Sequence, residues 1–182
     1  MKKISQLAVA LVSITSVQAA ITMTLSQVGS DVIGTYTGTV NTTDLTLLGN
    51  GASSAFMNPM ARIMSLGPAP NITGPIYQGV ASGPTFGSFS STQGDLGTGD
   101  RFQISASNLR VPLGYVSGST ISGSTTWSGK TFATLGVNSG TYVWNWGAGA
   151  NADSATLTVV PEPSSLILLT IATGLCCIVR KR

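Results

Sequence analysis

The side chains best suited to chemistry between residues 20 and 160 are five aspartates, because this stretch has no glutamate and the 182-residue chain has no histidine. Both cysteines lie at positions 176 and 177, so neither a Ser-His-Asp nor a Cys-His hydrolase can be assembled there, and zinc would lack its commonest ligands. An Asp-dependent glycan-active enzyme would need two carboxyl groups about 5–10 Å apart. That alternative draws its pair from Asp31, Asp44, Asp95, Asp100 and Asp153. Carboxylates this scattered more often cap turns or face solvent, so we predict no catalytic residue and a protein that is not an enzyme.

A short Gly/Asp stretch, Gly94-Asp95-Leu96-Gly97-Thr98-Gly99-Asp100, could offer carboxylate and carbonyl oxygens to Ca²⁺. It matches neither the EF-hand loop nor the Gly-rich nonapeptide repeat. Gly and Asp at this density are typical of tight turns. We therefore predict a hairpin here, and no metal or other cofactor.

Three aromatic residues, Tyr142, Trp144 and Trp146, alternate with smaller residues and would share one face of a strand. An exposed row of this kind could stack against sugar rings and make the domain a polysaccharide-binding module. A buried row would be the heaviest part of the core. Burial is favoured, because soluble monomers rarely expose large contiguous aromatic patches.

Amide and hydroxyl side chains are candidate glycan acceptors. Asn41-Thr42-Thr43 and Asn71-Ile72-Thr73 match the N-x-Ser/Thr pattern, which requires a dedicated oligosaccharyltransferase. Ser, Thr and Gly make up more than a third of residues 20–160. The hydroxyls could carry O-linked glycans, or they could simply be good formers of strands and turns.

Short alternating stretches separated by Gly, Pro, Asn and Asp predict the strands that must position these side chains. The clearest stretch runs from residue 32 to 40, with one face formed by Val32, Gly34, Tyr36, Gly38 and Val40 and the other by Ile33, Thr35, Thr37 and Thr39. Further strands are predicted at 21–28, 45–48, 101–107, 120–127, 131–135, 140–146 and 155–160. A strand at 62–66 competes with one helical turn at 58–64.

The Pro-rich stretch between residues 50 and 99 contains too many large apolar residues for disorder, so we predict strands joined by long loops, with a flexible spacer as the alternative. No long helical periodicity interrupts the strands. The sequence thus predicts an all-β fold, an antiparallel β-sandwich or jelly-roll-like domain over residues 20–160. An N-terminal signal helix and a C-terminal transmembrane helix are expected to flank it.

Charge is concentrated at the chain ends. Residues 20–160 hold four basic residues (Arg62, Arg101, Arg110, Lys130) against the five aspartates, leaving a balance of −1. The basic character of the whole chain therefore belongs to its two ends. Nothing in the domain offers a basic surface for nucleic acid, and we exclude that class of partner.

The first 19 residues have the three parts of a secretory signal peptide: Lys2 and Lys3, an apolar run from Ile4 to Val17, and a small-residue site. Val17 and Ala19 occupy the −3 and −1 positions, so signal peptidase should cut before Ala20 after the translocon has engaged the chain. A buried N-terminal helix is the alternative, but it explains neither the lysine pair nor the cleavage site.

The last 22 residues have the features of a second targeting signal. Pro161-Glu162-Pro163 precedes an uncharged run over 166–179, and Arg180, Lys181 and Arg182 follow. The run has 14 residues, or 16 with Ser164 and Ser165. As a helix, 16 residues rise about 24 Å against a hydrocarbon core of about 30 Å, which is marginal for a permanent span. The three basic residues should stay cytoplasmic and leave the domain outside. Adjacent cysteines rarely meet disulfide geometry, so Cys176 and Cys177 are not expected to be bridged. They are interpreted as small apolar residues of this run, with reactive or acylated thiols as the alternative, since the membrane favours the neutral thiol.

This tail resembles the PEP-CTERM sorting signal of Gram-negative bacteria, on Pro161-Glu162-Pro163, the apolar run and the basic end. The resemblance implies an inner-membrane-anchored intermediate that an exosortase, a membrane-embedded transpeptidase-like enzyme, processes near the motif. It also implies delivery to the cell surface or to an exopolysaccharide matrix, often with glycosylation. An ordinary single-pass anchor is the alternative.

The domain itself resembles a widespread uncharacterised ectodomain carried by PEP-CTERM proteins. The matching pieces are the early alternating strand SDVIGTYTGTV, a VPxGYVSG turn at Val111–Gly118, and FATLGVNSGTYVWNWG at Phe132–Gly147. The division we predict is thus a signal peptide (1–19), a β-rich exported domain (20–160) and a sorting signal (161–182). A structural or adhesive role in the envelope is the leading hypothesis, ahead of the polysaccharide-binding module and the glycan-active enzyme.

Overall fold

A computed structural model describes residues 20–160, so the predicted signal peptide and sorting tail lie outside the described residues. Within 20–160 the fold is all-β, as predicted, and is sandwich-like. The strands are β1 (Ala20–Val28), β2 (Asp31–Thr39), β3 (Thr46–Ser53), β4 (Phe56–Asn58), β5 (Ile63–Leu66), β6 (Ile72–Gln78), β7 (Thr92–Gln93), β8 (Leu96–Gly99), β9 (Phe102–Ile104), β10 (Asn108–Arg110), β11 (Thr120–Trp127), β12 (Gly140–Trp146) and β13 (Asp153–Val160).

The strands form two sheets. One has six strands in the order β12-β13-β1-β2-β11-β8, and the other has seven in the order β3-β6-β10-β9-β5-β4-β7. The six-stranded sheet combines the first two strands of the described chain, β1 and β2, with the last three, β11 to β13. Strand β8, from the middle of the chain, lies at its edge. Most of the segment between β2 and β11 builds the seven-stranded sheet.

One strand pair departs from the predicted antiparallel arrangement. β1 and β13 pair in parallel, from Ala20 opposite Ser154 to Ser26 opposite Val160. All other strand pairs among residues 20–160 are antiparallel. Because the two strands run side by side in one direction, the described chain begins at one end of the sheet and finishes at the other.

The predicted alternation along β2 is confirmed. Val32, Tyr36 and Val40 are buried, whereas Thr35 and Thr37 face solvent. The buried face packs on the second sheet: a Cβ built on Gly34 would lie 2.8 Å from Leu66 Cδ2 of β5. Each large apolar side chain removed from water in this way contributes about 1.5–3 kcal/mol before entropy is counted. One continuous core therefore joins both sheets.

The segment 131–135, predicted as a strand, is helical instead. Helix α1 (Phe132–Leu135) is one turn long, and Thr131 caps it by accepting from the Thr134 amide while Thr134 Oγ1 accepts from the Thr131 amide. Gly136 ends it in the left-handed conformation at φ 60°. This reciprocal cap and the C-terminal glycine are the usual helix boundary signals, and they prevail over the β propensity of the threonines. A 3-10 helix (Gly149–Asn151) precedes β13.

Of the two predictions for residues 58–66, the strand is confirmed: β5 covers Ile63–Leu66. A turn, and not a helix, precedes it. Asn58 Oδ1 accepts from the Ala61 amide, and Arg62 takes a left-handed φ of 65°. No helix within residues 20–160 has the length and apolar character needed to cross a bilayer.

Candidate functional site

The aromatic row on β12 is buried, which contradicts an exposed stacking surface. Trp144 is 0% exposed and Trp146 3%, while Tyr142 is half-buried. The row faces the core, where Trp144 packs edge-on against Phe86 at a centroid distance of 6.2 Å. Sugar rings have no access to indole faces sealed in this way, so the core position that the sequence analysis favoured is the correct one.

The two buried indoles differ in their hydrogen bonding. Trp146 Nε1 donates to the carbonyl oxygen of Asn41 at 2.9 Å and ties β12 to the loop after β2. Trp144 Nε1 is buried and has no partner among the described residues. Tyr142 reaches the edge of the core and donates to the Asn138 carbonyl at 3.0 Å. These roles are structural.

All five aspartates accept hydrogen bonds from backbone amides, which is the role expected of scattered carboxylates. Each links segments that are distant in sequence or closes a strand end. The donors are Gly129 N to Asp31, Ala148 N to Asp44, Ser128 N to Asp95, Ser122 N to Asp100, and Asn41 N to Asp153, at 2.7–3.2 Å. Within the described part of the chain, no group of three or more His, Cys, Asp or Glu side chains could hold a metal ion.

The Gly/Asp stretch 94–100 is not the predicted hairpin. It carries the chain from β7, in the seven-stranded sheet, to β8, in the six-stranded sheet. Asp95 and Asp100 lie at the two ends of β8, and each accepts from a backbone amide in or just beyond β11. The glycines permit close approach here, because a Cβ on Gly97 would overlap the carbonyl oxygens of Gly67 and Ser124. The stretch is a crossover between sheets.

One end of the sandwich is closed by Tyr115, in the turn that the sequence predicted at 111–118. Its hydroxyl accepts from Val40 N at 2.8 Å and contacts the carbonyl oxygens of Val40 and Ser119 at 3.1 and 2.8 Å. Burial raises the pKa of this phenol. At the same end, Asn41 of the first glycan pattern accepts from Thr43 N, whereas Asn71 of the second pattern is exposed.

Asp153 is the one buried carboxylate of the described residues, at 2% exposure. Burial raises its pKa, opposed by hydrogen bonds from the Asn41 and Ser154 amides at 2.7 and 2.6 Å. The folded protein thus holds this proton to higher pH than the unfolded chain, so the stability linked to it falls as the pH rises from about 3.8.

Replacing Asp153 with Asn keeps a side-chain oxygen as acceptor and removes the titration. We expect the melting temperature of Asp153→Asn, relative to the unmodified protein, to rise as the pH increases above about 4 and to level off once the carboxyl of the folded protein has ionised. The lost second acceptor adds an offset that does not vary with pH. Paired thermal melts across this range check the prediction; a relative melting temperature that falls with pH contradicts it.

Two buried arginines form a polar cluster that the sequence interpretation missed. Arg101 is 2% exposed and Arg110 8%. Arg101 Nη2 donates to the Pro68 carbonyl and to the Pro70 carbonyl, the latter at 3.1 Å, and Nη1 reaches Ser65 Oγ at 3.4 Å. Arg101 thereby holds the loop that follows β5 against the seven-stranded sheet.

Arg110 extends across neighbouring strands over glycines. Its Nη1 donates to Gln103 Oε1 at 2.9 Å. A Cβ on Gly51 of β3 would lie 3.2 Å from Arg110 Nη2, and one on Gly74 of β6 would lie 3.5 Å from Arg110 Cγ. Since Gly51 and Gly74 are opposite each other in the β3–β6 pair, they leave a track in which the long side chain lies. The sequence predicts a strand at 101–107, which contains Arg101, but none that contains Arg110, and it indicates burial for neither.

No protein-family model matches this chain, and neither a curated protein nor a solved structure matches it.

Proposed function

We propose that this chain is an exported cell-surface or extracellular-matrix protein with a structural or adhesive role, processed at its tail by an exosortase. The observation that carries the proposal is the tripartite tail: Pro161-Glu162-Pro163, the apolar run 166–179 and the basic residues 180–182. A leader with a small-residue cleavage site stands at the other end. The partners are the translocon, signal peptidase, the exosortase and, transiently, the membrane.

The processing scheme is compatible with the described strands. They lie between Ala20 and Val160, so cuts before Ala20 and near Pro161-Glu162-Pro163 would fall outside all of them. Ala20 and Val160 both take part in the parallel β1–β13 pairing. A processed form would therefore keep its complete six-stranded sheet after it leaves the membrane.

A non-enzymatic role for the domain is supported by the use of its polar groups. The aspartates that a glycan-active enzyme would need already accept backbone hydrogen bonds across loops. The exposed outer face of β2 carries Thr35 and Thr37, whose hydroxyls are available for contacts with polysaccharide or for O-linked glycans. The domain accordingly acts as a stable, nearly neutral building block within the exopolysaccharide layer.

The experiment that tests the proposal is intact mass spectrometry of the protein from membrane, surface and medium fractions of its native host. The extracellular form should lack residues 1–19 and the residues after about Pro163, and any excess mass reports its glycans. A matched variant replaces Pro161, Glu162 and Pro163 with alanine and should accumulate in the membrane with its tail intact. An unmodified protein that stays in the membrane and still ends in Arg182 would show a permanent anchor and refute the proposal.

A further inference from the structure

Three buried donor groups in the seven-stranded sheet have no partner among the described residues. They are Arg101 Nε, Arg110 Nε and Ser53 Oγ. A buried donor without an acceptor costs about 1–3 kcal/mol, and more when it belongs to a charged group, so such atoms are rare in folded proteins. Three of them in one sheet call for an acceptor.

The three groups lie on the same face of that sheet. Gln103 and Arg110 are direct partners in the β9–β10 pair, and Gln103 is opposite Ser65 in the β5–β9 pair. Arg101 precedes Gln103 by two residues and contacts Ser65 Oγ, so it shares their face. Core residues Phe102, Ile104 and Leu109 occupy the other face.

Ser53 lies in β3, an edge strand of this sheet, on the same face as the two arginines. The guanidinium of Arg110 lies beside the Cβ direction of Gly51, which places Gly51 on the face of the arginines. Ser53 follows Gly51 by two residues in β3 and therefore has the same orientation. It also lies opposite Ile72, close in sequence to Pro70, whose carbonyl accepts from Arg101.

Neither arginine of the cluster forms a hydrogen bond to a carboxylate among the described residues. Within residues 20–160, every hydrogen bond of the two guanidinium groups goes to a carbonyl, amide or hydroxyl oxygen. Burial, together with the charge of Arg110, lowers the pKa of Arg101 to about 10, so Arg101 still carries a positive charge at neutral pH. Burial also lowers the pKa of Arg110. A buried cation of this kind is stable only when an anion or several dipoles offset its lost hydration.

We propose that Arg101, Arg110 and Ser53 form a binding site for a single oxyanion on the outer face of the seven-stranded sheet. Two guanidinium Nε–H groups and one hydroxyl provide donors to an anionic oxygen, and charge-assisted bonds of this type are about twice as strong as neutral ones. Guanidinium groups suit planar or tetrahedral oxyanions, so the ligand class is carboxylate, sulfate or phosphate.

Two sources could supply this chemistry: a free inorganic ion, or the carboxylate of a uronic acid in an acidic polysaccharide. The small exposure of Arg101 and Arg110 favours the free ion, because a polymer would have to displace the loop that carries Pro68 and Pro70. The site is independent of the sorting tail, so it stands or falls separately from the proposed function.

The test measures the melting temperature of the purified protein against phosphate, sulfate or trigalacturonate, at constant ionic strength balanced with chloride. A ligand that binds only the folded state raises the melting temperature with a saturable dependence on its concentration. We expect saturation with phosphate or sulfate. Arg110→Met, which keeps an unbranched side chain on the glycine track, should lose the saturable component.

The exposed Lys130 provides the matched control, because Lys130→Met removes one positive charge outside the cluster. It should keep the saturable shift, together with the general stabilisation that sulfate and phosphate give to any protein. Should Arg110→Met fail to fold, Ser53→Ala takes its place: it removes one neutral donor and should raise the apparent dissociation constant about fivefold or more.

Saturation by trigalacturonate alone would support the site and assign it to an acidic polymer, and saturation by the inorganic ions alone would assign it to a free ion. Absence of a saturable shift with all three probes would overturn the proposal. So would an equal shift in the unmodified protein, Arg110→Met and Ser53→Ala.

Discussion

Replacing Gly67 with alanine is expected to lower the free energy of unfolding by about 3–5 kcal/mol. The residue has φ 115°, a conformation that costs other residues about 1–3 kcal/mol. A Cβ at this position would also overlap the carbonyl oxygen of Asp100. Overpacking against backbone, which cannot turn aside as a side chain can, adds roughly 1–3 kcal/mol.

The expected loss of stability at Gly67 is large because the two sheets are in contact at this residue. Thr125 Oγ1, in β11 of the six-stranded sheet, accepts from Gly67 N and donates to Gly67 O, both at 2.9 Å. Thr125 is 0% exposed, so neither of these bonds has water as a substitute. A displaced Gly67 would leave buried polar groups unpaired in addition to the steric cost.

Chemical denaturation of Gly67→Ala and Gly129→Ala side by side checks this prediction. Gly129 has a positive φ of 63°, but a Cβ at this position would have no atom within 4 Å, so its alanine variant should lose only about 1–2 kcal/mol through backbone strain. Equal losses in the two variants would mean that the contact between the sheets at Gly67 is not as close as the structure has it.

Truncating Trp144 to alanine should cost about 3–5 kcal/mol, the range for removing a large buried aromatic side chain. Its indole is 0% exposed and packs against Phe86 and Gly83. Because Nε1 has no partner among the described residues, no hydrogen bond is lost, and the whole effect comes from packing. The volume of the cavity left in the core determines where in this range the loss of stability falls.

Val143, the residue before Trp144 in β12 and 39% exposed, gives the matched control. Val143→Ala should change the free energy of unfolding by no more than about 0.5 kcal/mol. Urea titrations followed by circular dichroism compare the two variants. If Trp144→Ala is as mild as the control, and matrix polysaccharide quenches the tryptophan fluorescence of the unmodified protein, the aromatic row is exposed after all.

Local patterns predicted the strands that carry clear alternation. The predicted 120–127 and 140–146 coincide with β11 and β12, and the first, second and last strands are displaced by only one or two residues. These segments alternate β-branched or aromatic residues with small polar ones, so pattern and propensity agree. The Gly-rich segment Thr46–Ser53 was predicted only in part, because its strand is set by pairing with β6 and not by its own residues.

Features set by distant contacts could not be predicted. Residues 101–107 read as one strand but divide into β9 and a turn, where Ser105 Oγ bonds to Asn108, before β10 begins. The crossover at 94–95 depends on which sheet accepts each neighbouring strand, and the parallel β1–β13 pair joins residues more than 130 positions apart.

The candidate sites also divide into those that local sequence patterns reveal and those that depend on contacts between distant residues. The aspartates and the aromatic row could be found from residue type, and the expectation of structural roles followed from their scatter and from the cost of exposing aromatic residues. The arginine cluster could not be found, since its face is assembled from β3, β5, β9 and β10. Its defining property is that, among the described residues, its guanidinium groups donate to no carboxylate. Burial, which the sequence does not display, is what turns two ordinary arginines into a candidate site.

The parallel pairing of β1 and β13 also determines how the domain responds to mechanical load. Tension applied between Ala20 and Val160 pulls adjacent parallel strands in opposite directions along their length. The pairs from Ala20–Ser154 to Ser26–Val160 then resist together in shear, whereas a hairpin pulled apart from one end would unzip pair by pair. If the protein is anchored at one end and pulled at the other, the force therefore acts in the direction in which the β1–β13 pair is hardest to separate.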